Sequence, residues 1–118
     1  MLSMEVYRLI HLFGNFVIIF VLGGVTLHRL NGGDRNYSRR RLVAIMHGIG
    51  MFLSLLGAFG LQARLGIGWP GWFIAKIFIW LFLGAALALV YRLPGKFFWW
   101  GLPLVVLVAI YLATFKPF

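Results

Sequence analysis

Three histidines and one lysine are the side chains in this chain best suited to chemistry: His11, His28, His47 and Lys76. Imidazole ligates metals and carries protons near neutral pH, and a lysine in a low-dielectric site can lose its proton and act as a base or ligand. Lys76 lies about a turn inside the apolar stretch Gly71–Arg92, where an ammonium is costly. Three roles are open to it: snorkelling to an interface, pairing with another group, or lining a functional site. His11 and Asn15 are four residues apart and share a helical face, with Thr26 roughly on the same stripe. His47 and Met51 have the same spacing, and Met46 stands beside them. Such methionines suit copper(I), although Met in an apolar helix is ordinarily filler.

What is missing narrows the chemistry further. With no cysteine there is no disulfide, thiolate ligand or covalent haem attachment. Glu5 and Asp34 are the only carboxylates, and both fall outside the apolar runs. That leaves no acid pair for glycoside chemistry and no intramembrane carboxylate for a proton relay. The glycines are spacers in helices and turns, and none forms a loop ending in Lys-Ser/Thr that would cradle phosphate.

The elements that must position these residues are membrane helices. The chain has 118 residues, 63% hydrophobic and 11% charged, and a mean hydropathy of +0.98, whereas soluble domains are about a quarter charged. This length holds about four spans of roughly 20 residues, with no room for a separate soluble module. The reading is an all-α integral membrane protein, a single membrane domain over 1–118 built as a four-transmembrane-helix bundle, with helices near 5–29, 39–63, 70–92 and 97–115. The apolar run 9–27 is too long for a signal peptide and lacks a small-residue cleavage site. Asn31–Ser38 has turn chemistry, with Ser38 expected to cap helix two. Gly50, Ser54 and Ala58 form the small-xxx-small pattern that lets helices approach closely in lipid. Pro70 suits the first turn of helix three, Trp69 and Trp72 suit interfacial depth, and Gly101 and Pro103 are placed to bend helix four.

The net charge of +9 sits beside the spans, where it reads as a topology signal and a site for lipid headgroups, not as a nucleic-acid surface. Arg29, Arg35, Arg39, Arg40 and Arg41 lie between helices one and two, and Arg92 and Lys96 between three and four. Arg8, Arg64 and Lys116 mark the opposite side. The positive-inside rule therefore puts both termini outside, an N-out/C-out arrangement, as for a multi-pass protein of a bacterial inner (cytoplasmic) membrane.

Depth decides which polar groups can meet. His11 and Lys76 each lie about six residues inside the outer face, roughly 9 Å at the helical rise. Gln62, Arg64, Tyr111 and Thr114 reach the same side, so a cluster of His11, Asn15, Gln62, Lys76 and Tyr111 is allowed. His47 belongs to the other leaflet. In hydrocarbon about 30 Å thick, it stands too far from His11 for the two to ligate one iron from opposite faces. His11 with a deprotonated Lys76 is the better-placed pair.

Several of these residues carry a resemblance. His47 in His-Gly-Ile-Gly-Met-Phe-Leu-Ser-Leu-Leu-Gly, with Trp72-x-x-Ala75-Lys76 opening helix three and His11 early in helix one, resembles the SirB-type small membrane proteins. It is also similar to the related HemJ-type protoporphyrinogen oxidases and the CopD membrane domain. The ending Lys116-Pro117-Phe118 is similar to the HemJ ending. The likeness implies a four-helix fold and haem b held by His11 and Lys76 through its iron, with a porphyrinogen oxidised to protoporphyrin. His47, Asn15 and Tyr111 are further candidates around such a cofactor. Two features depart from the pattern: only Arg29-Leu30 matches a longer HemJ segment after helix one, and Gly50 stands where SirB-type proteins have an acidic residue.

Bland readings stand beside these. His11 could simply hydrogen-bond a neighbouring helix, Lys76 could snorkel past Trp72, and Trp80 could pack without touching a porphyrin. The expectation is a small multi-pass inner-membrane protein, haem-binding and redox-linked. The alternatives are a non-catalytic accessory subunit of a larger membrane complex or a small metal or solute transporter. Its partners are then the bilayer, other membrane proteins or further copies of itself, and no nucleic acid.

Overall fold

The computed structural model describes residues 2–118, which form four helices in chain order: α1 (Met4–Leu30), α2 (Arg40–Leu65), α3 (Gly71–Leu89) and α4 (Gly95–Phe115). All four are long and apolar enough to cross a membrane. The shortest, α3, has 19 residues. At the helical rise it spans about 28 Å, close to the ~30 Å hydrocarbon core of a bilayer. The outward faces carry Phe13, Phe16, Phe20, Phe52, Phe78 and Leu107, each more than half exposed. Such a surface suits lipid, because the helices satisfy their backbone groups internally. The chain is a small multi-pass membrane protein.

Local chemistry sets the helix ends. Ser3 Oγ accepts the Val6 N–H at 3.2 Å, and Glu5 lies in the positive first turn of α1. Ser38 does not cap α2; the cap position is Arg39, and the helix is entered through a turn in which the Arg40 N–H donates to the Tyr37 carbonyl at 3.3 Å. α2 ends at Gly66, whose left-handed φ of 61° lets its N–H donate to the Gln62 carbonyl. The Pro70 carbonyl accepts the Phe73 and Ile74 N–H groups as α3 begins.

α3 stops at Leu89, three residues before the expected end at Arg92. Pro94 accounts for part of this. In a continuing helix the Val90 carbonyl would accept from residue 94, and proline has no N–H to give. Arg29 supplies the missing donor through Nε at 3.1 Å, while its Nη1 donates to the Gly33 carbonyl at 3.0 Å. One guanidinium thus ties the end of α1 to the end of α3 and to the intervening loop.

Packing divides the bundle into two halves. Toward the arginine-rich end, Ile18, Leu22 and Val25 of α1 form a core with Ala86 and Val90 and with Phe98 and Leu102 of α4. Toward the other end, α1 and α2 meet almost backbone to backbone, in the most extensive contact of the bundle. A Cβ at Gly14 would run into the backbone of Gly50, Leu53 and Ser54, and one at Gly57 would strike the His11 backbone. The Tyr7 ring fills the space beside Gly60. The close seam therefore runs through Gly50, Ser54 and Gly57, with Gly57 in the place expected of Ala58, because a 50–54–57 spacing keeps to one helical face better than strict steps of four.

Candidate functional site

The tight α1–α2 seam brings His11, Asn15 and Ser54 together. His11 Nδ1 lies 2.8 Å from the Ser54 carbonyl oxygen, which can only accept, so Nδ1 carries the proton. The Nε2 lone pair then receives an N–H from Asn15 Nδ2 at 3.2 Å. Asn15 Oδ1 in turn accepts the Ser54 hydroxyl at 2.5 Å. The three bonds run from α1 to α2 and back, and they satisfy both ring nitrogens. Ser54 was legible as a small packing residue, but its hydroxyl and carbonyl also complete this network.

Other polar groups inside the bundle are similarly employed. His47 Nε2 donates to the Leu83 carbonyl at 3.0 Å, while Trp80 Nε1 donates to the Met51 carbonyl at 3.0 Å. α2 and α3 therefore each send one side chain to the other's backbone. Gly84 leaves the room that the Met51 methyl occupies. Thr26 Oγ1 donates to its own helix at Leu22, 2.7 Å away. Trp80 and Met51 both serve this helix contact.

Lys76 is half-buried on α3. The Lys116 Nζ lies 5.5 Å from the centre of the Trp72 ring. The Gly71 N–H donates to the Phe118 carbonyl at 3.1 Å, so the segment after α4 closes over the start of α3. Two members of the cluster allowed by depth lie apart from the network. Tyr111 is 49% exposed on α4 with its ring against Phe115, and Gln62 Nε2 donates to the Gly68 carbonyl at 2.7 Å in its own loop.

For a haem between His11 and Lys76, the His11 nitrogen that would face the iron is the one on which the Asn15 amide stands. His11 presents no free lone pair, because Nδ1–H donates and Nε2 accepts from Asn15. Among the described residues no group of three or more His, Cys, Asp or Glu side chains gathers as a metal site.

The opposite end has a different character. The loop between α1 and α2 folds back so that His28 Nε2 donates to the Asp34 carbonyl at 2.8 Å and the His28 ring lies against Tyr37. Tyr37 and Tyr91 share a hydrogen bond between their hydroxyls, which joins this loop to the end of α3. Burial first, and this bond second, hold the Tyr37 phenol well above its ordinary pKa of 10.0. The Arg40 guanidinium lies 5.7 Å from the Tyr91 ring centre. Beneath these groups lies a cavity of about 300 Å³ lined by Arg35, Arg40, Tyr91 and Arg92 and by Ala44, Gly84, Leu87 and Ala88. Arg39 and Arg41 flank the same end and are exposed, as is Lys96, whose Nζ lies 5.8 Å from the Phe97 ring centre.

Comparison with known proteins finds no matching protein-family model, no matching curated protein and no matching solved structure.

Proposed function

We propose that this chain is a non-catalytic helical subunit of a bacterial inner membrane, oriented N-out/C-out, that packs with other membrane proteins or with further copies of itself. One observation carries the reading: all three histidines donate a ring N–H to a backbone carbonyl of the same chain, at Ser54, Asp34 and Leu83. The residue type best suited to chemistry is thereby committed to joining helices and shaping a loop. Intramembrane polar side chains used in this way favour helix association. The seven basic residues at the Arg29–Lys96 end support placing that end in the cytoplasm.

A redox reading, with haem b at His11 and Lys76 as the likeness to HemJ-type proteins implies, has one observation in its favour. A histidine that donates Nδ1–H to a carbonyl holds Nε2 in the tautomer a metal needs, and only the Asn15 amide, at 3.2 Å, stands on it here. That reading requires Asn15 to turn away.

The deciding experiment purifies the protein in mild detergent from haem-replete cells and records oxidised and reduced absorption spectra. Native mass is measured in parallel. The subunit reading expects a colourless protein in an assembly heavier than the single chain, and His11→Ala changing stability without changing colour. A Soret band that shifts on reduction and vanishes in His11→Ala and Lys76→Ala overturns it in favour of the haem protein.

A further inference from the structure

We propose that the crevice between α2 and α3 at the arginine-rich end binds one anionic phospholipid, with its phosphate among Arg35, Arg40 and Arg92 and the start of an acyl chain along Ala44, Gly84 and Leu87. The crevice is two-faced. Three arginines line it at the chain segments next to the helix ends, and small and aliphatic residues of two membrane-spanning helices line the rest. A free oxyanion satisfies only the first half, whereas a phosphate ester bearing an acyl chain satisfies both. The volume of about 300 Å³ stands at the small end of ligand pockets. It suits a headgroup and the first part of a chain, with the remainder running out along the helices into the bilayer.

Charge complementarity supports an anion. The chain has eleven lysines and arginines against two carboxylates, and Glu5 belongs to the opposite end of α1. Asp34 is the one carboxylate at this end, and its Oδ1 already accepts the Asn36 N–H at 2.9 Å. One of the three guanidiniums has a fixed neighbour, and the backbone of a second is anchored. Arg40 lies over the Tyr91 ring, and Tyr91 is fixed by its hydroxyl bond to Tyr37. Arg92 follows Tyr91 in the turn where α3 ends, with its N–H on the Leu89 carbonyl at 3.0 Å. Guanidinium forks match phosphate oxygens in geometry, and a cluster of them beside a span attracts anionic lipids. The basic residues noted as a general topology signal thus divide. Arg29 is spent on Val90 and Gly33, while Arg35, Arg40 and Arg92 converge on one site.

The test uses the full chain in mild detergent, titrated with phosphatidylglycerol or phosphatidylcholine and followed by native mass spectrometry. Inorganic phosphate serves as competitor. The expected result is one phosphatidylglycerol per chain, bound at least tenfold tighter than phosphatidylcholine and not displaced by an equal concentration of phosphate. Each of Arg35→Gln and Arg92→Gln should weaken phosphatidylglycerol about fivefold, the effect of one cation near an anionic headgroup. Arg64→Gln, at the other end, should leave binding unchanged. Ala44→Phe, which fills the wall and keeps every cation, should weaken it as well. Equal affinity for the two lipids overturns the proposal, as does unchanged phosphatidylglycerol binding in Arg35→Gln and Arg92→Gln. Displacement by an equal concentration of phosphate, with Ala44→Phe silent, overturns the lipid assignment in favour of a free oxyanion.

Discussion

Gly14→Ala and Gly24→Ala make the same chemical change in the same helix and should move stability in opposite directions. A Cβ on Gly14 would lie 2.7 Å from the Gly50 carbonyl oxygen and 3.0 Å from the Leu53 carbonyl carbon. These are backbone atoms of α2 and cannot rotate away. Bringing the first distance to the 3.4 Å of ordinary contact moves the helices apart by at least about 0.7 Å, and the Ser54 nitrogen, closer still, asks for more. That displacement stretches the 2.8 Å bond from His11 to the Ser54 carbonyl to about 3.5 Å, the outer limit of a hydrogen bond. Overpacking of this kind costs about 1–3 kcal/mol. Weakening two interhelical bonds adds about 1 kcal/mol at the ~0.6 kcal/mol each that such bonds contribute in membranes. Helix propensity returns up to about 1 kcal/mol on replacing glycine by alanine. The net loss is about 2 kcal/mol, or roughly thirtyfold in the unfolding equilibrium. Gly24 has nothing within 4 Å of its Cβ position, so alanine there keeps the propensity gain without the collision. Reversible unfolding in mixed micelles, titrated with a denaturing detergent and followed by circular dichroism, measures both. A Gly14→Ala protein as stable as the parent would refute the backbone-contact account of the α1–α2 seam.

Three further outcomes follow from the same geometry. Arg29→Met should cost about 2 kcal/mol in that unfolding assay, because it leaves the buried Val90 carbonyl without a donor, whereas exposed Arg39→Met should cost almost nothing. Tyr37 has a folded pKa raised above its ordinary 10.0, so its contribution is fully present below pH 10 and is lost progressively as pH rises beyond it. Tyr37→Phe should flatten the alkaline limb of a stability-against-pH curve relative to the parent protein, and an unchanged limb would count against the Tyr37–Tyr91 link. Finally, Gly14→Ala and Ser54→Ala should cost less in combination than the sum of their separate effects, since both loosen the same ring of hydrogen bonds. Strict additivity in the double-mutant cycle would show that the network does not depend on the width of the seam.

The four spans were legible because long apolar stretches, one of them holding a single lysine, leave few alternatives, and glycine, proline and asparagine mark the turns between them. The shared face of His11 and Asn15 was also legible, from their spacing of four. Their partner was not, because the pairing of α1 with α2 depends on which small residues line the seam. Gly57 and Ala58 differ by only one position in sequence, yet only Gly57 is buried against α1. The end of α3 escaped for a different reason. Pro94 signals a stop, but the role of Arg29 as donor to Val90 requires two positions 61 residues apart to meet. The Tyr37–Tyr91 link is equally nonlocal, and nothing in the spacing of either tyrosine announces it.

Glycine seam and histidine network depend on one another. Ser54 can accept from His11 through its backbone only because α1 approaches α2 closely enough for a side chain on one helix to reach the main chain of the other. The approach is possible because Gly14 and Gly57 present no side chain at the points of contact. In lipid, where apolar side chains gain little by leaving the solvent for one another, close packing and such bonds are what hold two helices together. One imidazole nitrogen reaches across the seam to the Ser54 carbonyl, and the other stays with Asn15 on its own helix. Asn15 completes the arrangement by donating to the ring and accepting from the Ser54 hydroxyl. A histidine with this pattern of partners is explained by the association of α1 with α2, and its presence inside a membrane helix does not by itself call for a cofactor.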